Sequence, residues 1–180
     1  MLDASTANSL LTQLEIRALS VDDLSTARYV IATSFTRAAQ DHYAAADIDG
    51  FADFVRSPHY GDLLLGNRAY GAWVGSEMVG VAAWSIGEAR SPTARLLAVF
   101  VHPLFSGNGI GTRLTEFLEV EAAAAGYRAL EMSATLNTAA FFEGLDYLET
   151  RRGLWGMPSG RQMPIAFMRK VSGARPDVMH

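Results

Sequence analysis

The apolar run over 95–101, LLAVFV, constrains this chain more than any other feature. Its near-continuous apolarity predicts a strand buried on both faces, close to the middle of a sheet. It leads into Val101-His102-Pro103-Leu104-Phe105-Ser106-Gly107-Asn108-Gly109-Ile110-Gly111-Thr112. Beyond that, Ile110, Leu114, Phe117, Leu118, Ala122 and Ala125 recur as one apolar face of a helix expected over 109–125, which Gly126 closes. The centre of the fold is therefore a buried strand, a glycine loop and an amphipathic helix in succession.

Alternating glycines let a backbone approach a ligand closely and turn successive N–H groups toward it. A helix start adds unpaired N–H donors and a partial positive charge. Together they suit a phosphate-bearing cofactor, held by Ser106, Gly107, Asn108, Gly109, Ile110, Gly111 and Thr112. A plain strand-to-helix turn explains three alternating glycines about equally well. A P-loop needs a Lys-Ser/Thr pair after its last glycine, and Thr112 follows Gly111 directly. A dinucleotide fingerprint would place its third glycine at 112 and would follow its strand more closely, although Glu131 lies at a tolerable distance for the ribose-binding acid.

Around this centre the pattern alternates. A strand is expected over 14–19, a helix capped by Asp22 or Asp23 running to about Phe35, and a helix over 44–55 that Pro58 stops. A hairpin follows at 69–74 and 78–86, turning at Gly75-Ser76-Glu77. After the glycine loop and its helix come a strand at 129–134, a short helix at 138–144, and strands at 147–154 and 163–170. The expectation is an α/β chain: one domain over 14–171 with a mixed sheet, flanked by about four helices, and loose segments at 1–13 and 172–180.

Several function classes drop away. The 180 residues contain no cysteine, which removes disulfides, thiolate zinc and a Cys nucleophile. The four histidines are scattered and have no metal-site spacing, so no metal is expected. A net charge of −4 weighs against a nucleic-acid partner. No apolar stretch is long enough to span a membrane, and the amino terminus lacks the pattern of a signal peptide, so a cytoplasmic location is expected.

The run LLAVFVHPLFSGNGIGTRL resembles the cofactor motif of the GNAT acyltransferases: an apolar strand, Val-x-Pro, a loop ending Gly-x-Gly-Ile-Gly, then an amphipathic helix. Downstream, Asn137 and the segment Phe141-Phe142-Glu143-Gly144 resemble the family's asparagine followed by Phe-Tyr-Glu and Gly-Phe, and MPIAFMRK resembles the closing strand of many members. The similarity runs from about Leu14 to Lys170. It implies a central, mostly antiparallel sheet splayed between its fourth and fifth strands. It also implies acetyl-CoA, or another acyl-CoA, as co-substrate and an amine of a small molecule or peptide as acceptor, with homodimers common among relatives. By position, the backbones of Val99 and Val101 would contact pantetheine, Asn137 would reach its arm, and one strand N–H would steady the oxyanion formed as the amine attacks.

Three positions depart from the family pattern. Ser106 replaces the usual Arg or Gln, Asp146 replaces a Gly, and Phe142 replaces a tyrosine that protonates the departing thiolate. With that hydroxyl missing, Tyr147 is the nearest phenol in sequence able to act as acid, and Glu88 and Glu131 are candidate bases on or near the central strands. His42 and Tyr43 interrupt an alanine-rich segment between the first two helices, where this fold admits its acceptor. Phe142 also leaves a second reading open, a catalytically degenerate acyl-CoA-binding sensor.

Overall fold

The computed structural model describes residues 9–87 and 91–171. Seven strands form one sheet: β1 (Leu14–Ala18), β2 (Arg68–Val74), β3 (Glu77–Ser85), β4 (Thr93–Val101), β5 (Ala129–Thr135), β6 (Leu148–Gly156) and β7 (Gln162–Val171). Their order is β1-β2-β3-β4-β5-β7-β6. Only β4 and β5 pair in parallel; every other neighbour is antiparallel. A parallel pair needs a crossover, and the glycine loop with helix α4 (Ile110–Ala124) supplies it.

Helices cover both faces of the sheet. On one face lie α1 (Leu24–Ala38), α2 (Ala45–Arg56) and α3 (Pro58–Leu65), whose Ile31, Phe35, Phe51, Val55 and Leu64 join a core with Val81 and Ile165. On the other lie α4 and the short α5 (Ala139–Glu143), with Leu114, Leu118 and Phe142 packed on Val79, Leu96 and Met168. The alternation of β3 divides its side chains between the two cores, which is why a strand of this kind is apolar at nearly every position.

The expectation of about four helices missed α3. Pro58 does end α2, but it also opens a helix of its own. Ser57 sits at the cap and its Oγ accepts from the Tyr60 N–H at 3.4 Å, while Pro58 takes the first turn, where a missing N–H has no consequence. Residues 9–12, within the segment expected to be loose, form a helical turn, and Leu11 packs on the α4-side core. At the start of α1, the Ser20 N–H donates to Asp23 Oδ2 at 2.9 Å; this bond, with one from the Ser20 hydroxyl, holds the Asp23 carboxyl below its usual range. No helix among the described residues is long and apolar enough to cross a membrane.

Candidate active site

The site begins where β4 and β5 part. Their pairing runs from Thr93 opposite Ala129 to Leu96 opposite Met132 and then stops. At that point β4 carries a bulge: Trp84 pairs with Leu96 and Ala83 with Ala98, which leaves Leu97 as the extra residue. The bulge changes which face each residue serves. Before it, Ala94 and Leu96 belong to the α4-side core; after it, Ala98 and Phe100 belong to the opposite core. It also sets the backbone. The His102 N–H donates to Val79 O at 2.8 Å, so the even-numbered residues beyond the bulge carry the ladder to β3. The N–H and C=O groups of Val99 and Val101 therefore point the other way, into the gap left by β5.

Above this gap lies a cleft of about 550 Å³ lined by the glycine loop, the end of β4, Ser34, Phe35 and Ala38 of α1, and Thr135, Asn137, Thr138 and Phe141. Gly107 and Gly109 both have positive φ, at 79° and 82°, a region L side chains rarely enter. A Cβ on Gly109 would also stand 3.3 Å from Leu11 Cδ1. The first turn of α4 leaves the N–H groups of Ile110, Gly111 and Thr112 without intrahelical partners at the edge of the cleft. Asn137 Oδ1 is buried there and accepts no hydrogen bond. A buried oxygen in that condition is costly, and an N–H donor lying in the cleft would satisfy it. Phosphate oxygens for the loop, a donor for Asn137 and a strand-like partner for Val99 and Val101 are all features of a CoA molecule, so these residues fit one.

Two loop residues turn their side chains away from the cleft, which leaves to it their backbone N–H groups, the ones expected to meet a phosphate. The Asn108 side chain is turned inward and its Nδ2 donates to Phe105 O at 3.1 Å and Ser106 O at 3.2 Å, bracing the loop. The Ile110 side chain is buried in the α4-side core, so only its backbone reaches the cleft edge. Ser106 and Thr112 line the cleft.

The proposed acid and acceptor residues lie elsewhere. Tyr147 is buried, its hydroxyl donating to Glu119 Oε1 at 3.0 Å, and Lys170 Nζ holds the same carboxylate at 2.9–3.0 Å. Burial and the adjacent Glu119 push the phenol pKa up, and Tyr147 lines neither the cleft nor the strand gap. Phe142 packs against Tyr147 and lines a small void between the parting strands with Val99, Thr135 and Thr138, while its neighbour Phe141 faces the cleft. Tyr43 is buried too. Its hydroxyl donates to Pro164 O and accepts from the Leu136 N–H, both at 2.7 Å, and burial raises its pKa. It clamps the end of β5 to β7 and has no face left for an acceptor; His42 beside it is exposed. Glu131 is half-buried and paired with Arg95 at 3.3 Å. Glu88 lies outside the described residues.

A second cavity, of about 490 Å³, meets the cleft at Phe100 and Thr135. Its walls are Phe51, Phe54, His59, Leu97, Trp155 and Ile165, among others, with Arg95 and Ser133 at one side. Sequence reasoning missed it. The walls come from α2, α3, β4, β5 and the β6–β7 hairpin, and no local pattern links them.

The description "Acetyltransferase (GNAT) family" belongs to the family model that matches residues 28–147. Among solved structures, a GCN5-related N-acetyltransferase from Rhodopseudomonas palustris superposes with a TM-score of 0.79 at 23% identity, over 87% of this chain and 94% of that one. The PaiA N-acetyltransferase of Thermoplasma acidophilum, solved with coenzyme A, gives 0.68 at 18%, over 88% and 98%. A GNAT-family acetyltransferase from Brucella melitensis, solved with acetyl-CoA, gives 0.61 at 18%, over 89% and 88%. No curated protein matches the sequence.

Proposed function

The chain belongs to the GNAT acetyltransferase family, and from that premise we propose that it is an N-acyltransferase, moving an acetyl or other acyl group from acyl-CoA to a primary amine by direct attack. The observation that carries this reading is the union of the orphaned Asn137 Oδ1 with the outward-facing backbone of Val99 and Val101 in one cleft. Bound there, acetyl-CoA supplies a thioester carbon to which the amine nitrogen bonds as the C–S bond breaks.

Each part of the chain then has a task. The glycine loop and the start of α4 hold phosphate with backbone N–H groups. Val99 and Val101 offer a strand edge to the amides of the pantetheine arm. A strand N–H at this edge also steadies the acyl oxygen. The attacking amine's proton passes to water in this reading, with His59, the imidazole that lines the second cavity, as its final acceptor. Phe142 offers no proton to the leaving sulfur. A thiol has a pKa of about 8.5 in solution, so the thiolate can leave unprotonated.

The same Phe142 favours a second reading, an acyl-CoA sensor without transfer activity. Free-thiol release from acetyl-CoA across a broad panel of amines separates the two. Turnover of any amine rejects the sensor. Binding of acetyl-CoA with no turnover on the whole panel rejects the transferase. An equal rise in melting temperature with NADH, in place of acetyl-CoA, rejects both.

A further inference from the structure

The second cavity carries information about the acceptor, given the transferase reading. Its inner walls are rings. Phe54 and Trp155 stand 5.5 Å apart between centroids, Phe51 and Trp155 6.1 Å, and Phe51 and Phe100 6.2 Å. Phe54, Phe100 and Trp155 are only partly buried, so the cavity leaves ring surface to be covered. Among the described residues, no Asp or Glu lines it.

Its charge lies at one side. Arg95 and Ser133 line both this cavity and an adjoining surface cleft, which also holds Arg151, Arg169 and Glu131. Three arginines and one carboxylate line that cleft, and Arg151 lies over the Phe167 ring. Arg95 spends one N–H on that carboxylate, Nη2 to Oε1 at 3.3 Å, and the guanidinium fork has further donors. A cationic acceptor such as a polyamine would enter an aromatic cavity with no counter-charge and meet arginines at its edge. An acceptor with an aromatic body and a carboxylate would cover the rings and match the excess charge. The absence of a carboxylate along the walls suits the chemistry as well, because no group there would hold the amine as ammonium.

We propose that the acceptor is a small aromatic amino acid, its ring against Phe54 and Trp155 and its carboxylate at Arg95, with the amine, on the same carbon as the carboxylate, directed between Leu97 and Ser133 into the gap where β4 and β5 part. Cavity size agrees: pockets for small ligands run from about 300 to 1,000 Å³.

Two measurements test this. In the first, thiol release from acetyl-CoA is compared for L-phenylalanine, L-tryptophan, phenethylamine, tryptamine and spermidine. The amino acids should exceed their decarboxylated amines in kcat/KM by about tenfold or more, the scale of one charge-assisted bond. Arg95→Gln should erase that preference and Arg95→Lys should restore part of it, with melting temperature reporting that each variant folds. In the second, N-acetyl-L-phenylalanine is titrated in the absence of acetyl-CoA while tryptophan emission is followed. It should quench the wild type, leave Trp155→Phe unquenched, and bind about tenfold more weakly to Arg95→Gln. Equal use of the amino acids and their amines, or preference for spermidine or a peptide amino terminus, overturns the proposal and leaves the transferase reading standing. Thiol release with none of the broader amines overturns the transferase reading, and the quenching titration then decides the cavity alone: no quenching, or quenching unchanged in Trp155→Phe, overturns the proposal there.

Discussion

The cleft at the glycine loop and the cavity beside Trp155 meet at two residues, yet they are made in different ways. The cleft is built mainly of backbone: the N–H groups opening α4, positive-φ glycines, and the free strand edge at Val99 and Val101. The cavity is built of side chains from six elements. Backbone recognition needs a local chain conformation, which a short sequence motif can encode. Side-chain recognition needs distant segments to converge, which a motif cannot. One region is therefore legible in a short stretch of sequence, and the other is not.

The comparison breaks most sharply at Gly109. Gly109→Val places a β-branched residue at a φ of 82° and a methyl group against Leu11. In the wild type, acetyl-CoA at about a hundred times its dissociation constant should add ~2.7 kcal/mol and raise the melting temperature by roughly 5–10 °C. The variant should lose that rise altogether; a shift that survives the substitution would remove the loop from cofactor binding.

Trp155→Ala should act on the other region alone. Loss of one aromatic wall is expected to raise the Michaelis constant for the amine by about tenfold or more, with the affinity for acetyl-CoA unchanged. A matching loss for acetyl-CoA would mean that the two regions are one energetic unit.

Tyr43→Phe should affect neither substrate directly. It removes the hydroxyl that joins Leu136 to Pro164 and leaves a buried N–H unpaired, at a cost of about 1–3 kcal/mol and roughly 2–10 °C in melting temperature. Differential scanning calorimetry reads this. A raised amine Michaelis constant at unchanged stability would return Tyr43 to the acceptor site, where the sequence alone placed it.

The smallest effects belong between the regions. Phe142→Tyr should leave transfer at least as fast as in the wild type. Tyr147→Phe should leave turnover nearly level, because that hydroxyl already serves Glu119. A tenfold fall in steady-state turnover for Tyr147→Phe, on the scale of lost general-acid catalysis, would show that the phenol reaches the reaction after all.

The pattern of success in the sequence reading follows from the same contrast. LLAVFV, the alternating glycines and the helix after them are contiguous, and the splay between β4 and β5 came with the family they resemble. The positions of Tyr43 and Tyr147 were not contiguous problems. Each phenol bonds residues 28 to 121 positions away, so proximity in sequence to the active segments said nothing about where its hydroxyl would point. The inward turn of the Asn108 side chain was not legible either, since a short amide in a tight turn can face a ligand or satisfy the turn's own carbonyls. Pro58 was read as a stop because proline ends helices; the serine before it was the overlooked sign that another begins. The bulge at Leu97 left no trace, since a run that is apolar throughout reads the same with or without a change of phase.

That bulge makes the length of β4 a heritable constraint in its own right. The two halves of the strand are out of step by one residue, and each half is committed: Ala94 and Leu96 to one core, Ala98 and Phe100 to the other. A deletion at Leu97 would remove the extra residue and leave Leu96 opposite Trp84 and Ala98 opposite Ala83, so neither half would turn. A residue gained outside the bulge would turn one half over: before it, Arg95 into the α4-side core; after it, the free edges of Val99 and Val101 toward β3. Substitutions along this strand can be absorbed one at a time, by packing. A single codon gained outside the bulge changes every position on one side of it at once, so where variants of this protein differ in the count of β4, the difference should be a loss at the bulge.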